Sequence, residues 1–153
     1  MALLKENRSV IIDNLLVISD IFMRIAILLM DRCFGSGIHS VIDALITSNY
    51  SMHKSGQEPL FEWDTVALSN TPVVPTNGIK ICPDYSLEQY LTLKNKPDAW
   101  IFPAVFQSLS DIAKAQRAIQ SIQPMIPVIH QHYEQGGTLI SICSGSFLLA
   151  EAG

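Results

Sequence analysis

Charge is scarce in this chain: 16% of residues carry it, and the formal balance is −4. No basic face is available to hold a nucleic acid or an anionic membrane. Cysteine is also scarce. Cys33, Cys82 and Cys143 make an odd set with no framework spacing, which excludes a disulfide-stapled scaffold and fits a reduced, cytoplasmic chain. Long apolar runs are absent. The segment 15–30, LLVISDIFMRIAILLM, is interrupted by Asp20 and Arg24, so no stretch reaches the roughly 18 residues of a membrane span. No small-residue cleavage site follows it as in a secretory leader. Of four histidines, His130 and His132 stand two apart and project from different faces of a helix, so no metal-ligating pair arises. No repeat or low-complexity tract appears. What is present is a 48% hydrophobic composition with few aromatics, enough for one domain around a buried sheet.

The pattern along the chain alternates. RIAILLM at 24–30 is a continuous apolar run of strand length, as in a strand covered on both faces. FGSG at 34–37 reads as a loop, after which Val41, Ile42, Leu45 and Ile46 recur at helical spacing. FEWDTVALS at 61–69 is a second strand. Asn77-Gly78 between two short apolar pairs predicts a hairpin, which Pro72, Pro75 and Pro83 would keep at an edge. Ser86 with Gln89 forms a capping-box pattern opening a short helix. AWIFP at 99–103 is a further buried strand, and residues 109–122 are helical by period. Pro124 and Pro127 introduce another helix, which Gly136-Gly137 would end. TLISI at 138–142 is the last strand. Strands alternating with helices imply a mostly parallel sheet with helices on both faces, entered at about residue 23. Residues 1–22 read as an extension, expected as a packed helix.

The strongest chemical feature is SICSGSFLLAEAG at 141–153. A small-residue cluster between a buried strand and a helix forces a sharp turn, lifting the apex side chain, Cys143, out of the sheet. Amides of Ser144 and Gly145 would then face anything bound beside the sulfur. This is the logic of a nucleophile elbow with cysteine at its apex. The same residues also fit a small buried thiol at a strand end.

The stretch ICSGSFLLAEAG resembles the Cys-x-Gly-x-x-x-Leu-Ala-x-Ala-Gly signature of ThiJ/PfpI domains found in AraC-type transcription regulators, within the class I glutamine amidotransferase-like superfamily. RIAILLMD, the helix containing Val41–Leu45, PTNGIKICPDYSLE, PDAWIFPA and EQGGTLISIC agree in order, so the resemblance covers about residues 23–153. It implies a flavodoxin-like three-layer α/β/α sandwich, truncated after the start of the elbow helix, and a homodimer. In such regulators the domain senses a small molecule, while a helix-turn-helix module beyond it binds DNA; that module is absent from this chain. The family's Thr-x-His-Trp segment, where a histidine partner for the cysteine would lie, is absent too.

Departures from the family pattern shape the expectation. The residue after Cys143 is Ser144, not the histidine of proteolytic relatives. Gly37 stands near the place of the aspartate used by isocyanide hydratases, leaving Asp31 as the nearby carboxylate. Pro103-Ala104-Val105 replaces a common Gly-Gly pair. The resemblance therefore implies a sensor lacking catalytic partners, with a ligand pocket formed by Asp31, Ala104, Val105, Phe106, Cys143, Ser144 and Gly145. Cys143 is the only catalytic candidate, and no cofactor or metal is expected. The alternatives are a cysteine-dependent hydratase, glyoxalase-like or amidase enzyme, and a redox sensor acting through Cys143, with Cys33 in a neighbouring loop as a pairing partner. Trp63 and Trp100 are expected in the core.

Overall fold

In the computed structural model the described residues are 10–12, 15–17, 22–105 and 112–153. Two short strands, β1 (Val10–Ile12) and β2 (Leu15–Val17), pair antiparallel with each other. A helix was the expectation for this extension. The β-branched run Val10-Ile11-Ile12 instead favours extended backbone.

The main sheet begins at β3 (Met23–Leu28), whose last four residues are buried. Helix α1 (Gly35–Lys54) leads to β4 (Phe61–Ala67). A two-residue β5 (Tyr85–Ser86) runs straight into α2 (Leu87–Thr92). β6 (Ala99–Phe102) is buried throughout. Two helices, α3 (Ile112–Ser121) and α4 (Ile126–Glu134), precede β7 (Thr138–Ser141). The sheet order is β5-β4-β3-β6-β7, and every neighbouring pair is parallel. The fold is thus a flavodoxin-like α/β sandwich, as the alternation of periods implies. The sheet is built outward from β3 to β5, and the chain then returns to add β6 and β7 on the other side. Crossover direction reverses between β3 and β6.

Right-handed crossovers place helices on opposite faces before and after that reversal. On one face Asn49 of α1 clasps the start of β4, its Nδ2 donating to Phe61 O at 2.8 Å. On the other, Tyr90 of α2 packs edge-on against Trp100 at 5.5 Å. The core between these layers includes Ile27, Leu28, Ile38, Phe102, Ile122, Met125 and Leu148, each nearly or fully inaccessible.

Local signals account for most element ends. The capping box at Ser86 is complete: the Ser86 hydroxyl accepts from Gln89 N, and Gln89 Oε1 accepts from Ser86 N. Gly136, with φ +78, ends α4 as expected. The FGSG segment departs from expectation. Gly35 already lies in α1, because extended Phe34 donates its N–H to Ala104 O at 2.8 Å and aims the following residues into helix. The Asn77-Gly78 hairpin is reduced to one antiparallel bridge, Val73 with Ile81. Prolines 72, 75 and 83 have no N–H to extend that ladder.

Candidate functional site

Ile142, just after β7, is still extended, and its N–H donates to Phe102 O at 2.9 Å. The chain then reverses through a 3₁₀ turn, Cys143–Gly145, into α5 (Ser146–Ala152). Cys143 adopts φ +48, the left-handed region that costs a side-chain-bearing residue roughly 1–3 kcal/mol. Its surroundings fix that angle. Gly145 N–H closes the turn on Ile142 O at 2.8 Å. A Cβ on Gly145 would stand 2.5 Å from Phe102 O and 2.8 Å from Pro103 O, both backbone atoms. Glycine is therefore required where the turn passes the end of β6. Cys143 itself is exposed at the apex.

The loop after β6 is held on both sides. Ala104 O accepts from Phe34 N–H across the reversal between β3 and β6. On the other flank, Val105 N–H donates to Ser144 Oγ at 3.1 Å in a buried bond. Five expected site residues, Ala104, Val105, Cys143, Ser144 and Gly145, thus meet at the carboxyl ends of β6 and β7. Among them only Cys143 is exposed; the other four are buried. Pro103 has no N–H and Val105 N–H is engaged, so two of the loop's amides are withdrawn from any anion beside the sulfur. The first turn of α1 backs the site, with Gly37 facing the Ile142 side chain.

Asp31 follows β3, and β6 lies between that strand and β7. Its Oδ1 accepts from Val74 N–H at 2.8 Å, while Arg32 N–H bonds Val74 O at 2.9 Å. The carboxylate thereby pins the 72–81 ribbon on the β4 side of the sheet. Phe106 lies outside the described residues. Cys33, expected in a loop as a pairing partner for Cys143, is fully buried while Cys143 is exposed, and burial pushes the Cys33 pKa up, with the Asp31 charge acting in the same direction. Buried His132 directs Nε2 to Thr138 O at 3.2 Å. Among the described residues no group of three His, Cys, Asp or Glu side chains is placed to hold a metal ion, and no helix is long and apolar enough to cross a membrane.

Sequence reasoning did not find the Ser144–Val105 bond or the Asp31–Val74 clasp. Pro103 was a partial signal for the first, since it removes one amide and leaves the next to organise the loop. Nothing local signals the second, because it depends on which strand lies beside β3. Trp100 is in the core as expected, but Trp63 is only half-buried.

No protein-family model and no curated protein matches the sequence. Solved structures do. An AraC family transcriptional regulator from Pseudomonas putida superposes with TM-score 0.59 at 14% identity, over 84% of this chain and 69% of that one. DJ-1beta of Drosophila melanogaster gives TM-score 0.64 at 17% identity, over 86% of this chain and 61% of its own. A ThiJ/PfpI family protein from Pseudomonas syringae gives TM-score 0.54 at 20% identity, over 86% of this chain and 46% of its own. The chain therefore spans less than two thirds of two of these three structures. At such identities the likeness establishes the shared α/β fold.

Proposed function

We propose that this chain is the ligand-sensing, non-catalytic ThiJ/PfpI-like part of an AraC-type transcription regulator, holding a small molecule beside Cys143. The observation that carries this reading is the bond from Val105 N–H to Ser144 Oγ. An acyl-transfer or hydration site needs amides aimed at the charge that develops on the substrate oxygen. Here that amide serves the loop, while the nearest sequence-expected carboxylate, Asp31, serves Val74. A general base contributes about a hundredfold or more to such reactions. What remains at the turn is a shaped, rigid surface with an exposed thiol, suited to recognition. In this reading the domain works as a cytoplasmic homodimer, and DNA is contacted through a helix-turn-helix module outside this chain.

The test uses a protein that carries both modules. Cys143→Ala should change the ligand concentration at which operator binding responds, with no turnover of carbonyl or isocyanide substrates by either protein. Steady-state hydrolysis or hydration that vanishes in the variant would reject the proposal.

Cysteine-dependent chemistry, catalytic or redox, is the second reading, favoured by the exposure of Cys143 and its left-handed φ. The pH dependence of iodoacetamide alkylation separates the two. A Cys143 midpoint well below the free-thiol value of about 8.5 supports the second reading, and an ordinary midpoint supports the first.

A further inference from the structure

At the amino ends of β3 and β4, the end of the sheet opposite Cys143, lies a hollow of ≈ 500 Å³. Three rings line it: Phe22, Phe61 and Trp63. Phe61 and Trp63 are two apart on β4 and so share one face of the sheet. Phe22 enters from the residue before β3 and is 42% exposed. Among the described residues two acidic ones, Glu58 and Glu62, and no basic one border the same hollow; Glu62, between the two rings of β4, directs its side chain to the opposite face of the strand.

The wall is pre-formed. Asn49 of α1 accepts from Leu60 N–H at 3.0 Å and from Phe61 N–H at 3.1 Å, and its amide donates to Phe61 O at 2.8 Å. Every polar atom of that side chain is engaged in holding the 58–61 segment against the helix. Met23 N–H bonds Leu60 O at 2.7 Å and fixes the same segment to β3. The Glu62 charge is shared with the opposite face, where it acts on the Arg24 guanidinium. Arg24, the register partner of Glu62, gives Nε and Nη2 to Asp64 at 3.1 and 3.0 Å, which leaves this group of charges net negative. Among the described residues neither Glu58 nor Glu62 is in a salt bridge.

From these observations we infer that the hollow is a binding site for a small organic cation, such as a quaternary ammonium or alkylamine. Ring faces carry negative quadrupole density, and a partly desolvated cation gains most over tryptophan. Two carboxylates at the rim add long-range attraction of the same sign, and they disfavour anions. A bare divalent ion is a poorer fit, since two carboxylates without a third ligand leave its coordination incomplete. The volume suits a small molecule.

Choline is the probe, and dimethylbutanol, in which carbon replaces the charged nitrogen, is its neutral control. Trp63 borders the hollow while Trp100 is 2% exposed, so tryptophan emission reports on this site. Choline should shift the emission saturably in the ~millimolar range, and dimethylbutanol should bind about tenfold more weakly or worse. The pair Glu58→Gln and Glu62→Gln, both at exposed positions, should weaken choline about fivefold and leave dimethylbutanol unchanged. Equal affinity for the two probes would make the hollow a merely apolar groove and overturn the inference. Absence of a saturable choline response, or indifference of choline to the double variant, would overturn it as well.

Discussion

The two ends of the sheet are held by different physics. At the carboxyl end, close backbone approaches dominate: Gly145 passes the carbonyls of Phe102 and Pro103, Ile142 N–H reaches Phe102 O, and Phe34 N–H reaches Ala104 O, with Ser144 Oγ and Asp31 Oδ1 as added side-chain acceptors. Two residues that carry side chains, Arg32 and Cys143, are held there at positive φ. At the amino end, side chains act as the ties. Asp98 Oδ2 accepts from Arg24 N–H at 2.9 Å, Arg24 joins Asp64 in a partly buried ion pair, and Asn49 binds the 60–61 backbone. One end tolerates almost no added volume, and the other depends on the chemistry of particular groups. A ligand at the first therefore meets a rigid shape, and a ligand at the second meets charge and rings.

Three substitutions test that contrast. The largest effect is expected for Gly145→Ala. Its Cβ would enter the space of two carbonyl oxygens that belong to a buried strand end and cannot swing aside, costing about 3 kcal/mol. Urea unfolding would measure it, and a loss under ~1 kcal/mol would mean the carboxyl end is softer than described. Asp98→Ala comes next, with about 2 kcal/mol lost, because Arg24 N–H at the start of β3 would lose a charged acceptor. Here Asp98→Asn should recover about half, since the amide oxygen can still accept. No recovery would show that charge, not hydrogen bonding, holds the amino end. The smallest effect is expected for Cys143→Gly. Release of left-handed strain and the extra freedom of glycine in the unfolded chain nearly cancel, leaving a net gain below ~1 kcal/mol. A clear loss in thermal unfolding would mean that the cysteine side chain contributes packing that its exposure does not suggest.

Much of this was legible in the sequence, for identifiable reasons. The apolar runs within 24–30 and 99–103 are of strand length and bounded by turn residues, which favours strands covered on both sides, and they became β3 and β6. The Ser86–Gln89 box works through bonds three residues apart, so it survives any tertiary arrangement. The turn at Cys143 was readable because small residues between a buried strand and a helix leave few other paths. Other features depended on contacts distant in sequence. Phe34 meets Ala104 seventy residues away, and that bond converts an apparent loop into the first turn of α1. Asp31 near the end of β3 has neighbours on two sides, and no local pattern says that it turns toward Val74. The half-buried state of Trp63 was hidden for a related reason. A ring on a strand reads as core until the helix above it is known to present Asn49 there.

The two lateral margins of the sheet have unequal futures. β5 is two residues long, pairs only with Val66 and Ala67 of β4, and passes directly into α2, with Pro83 just before it, so it offers little edge of its own. β7 offers four residues, Thr138–Ser141, without proline or charge, and Ile140 is 40% exposed. Among the described residues β7 is thus the longer margin strand of the sheet. A strand added beside β7, whether supplied in cis or in trans, would lie next to the turn that carries Cys143 and would meet its exposed sulfur.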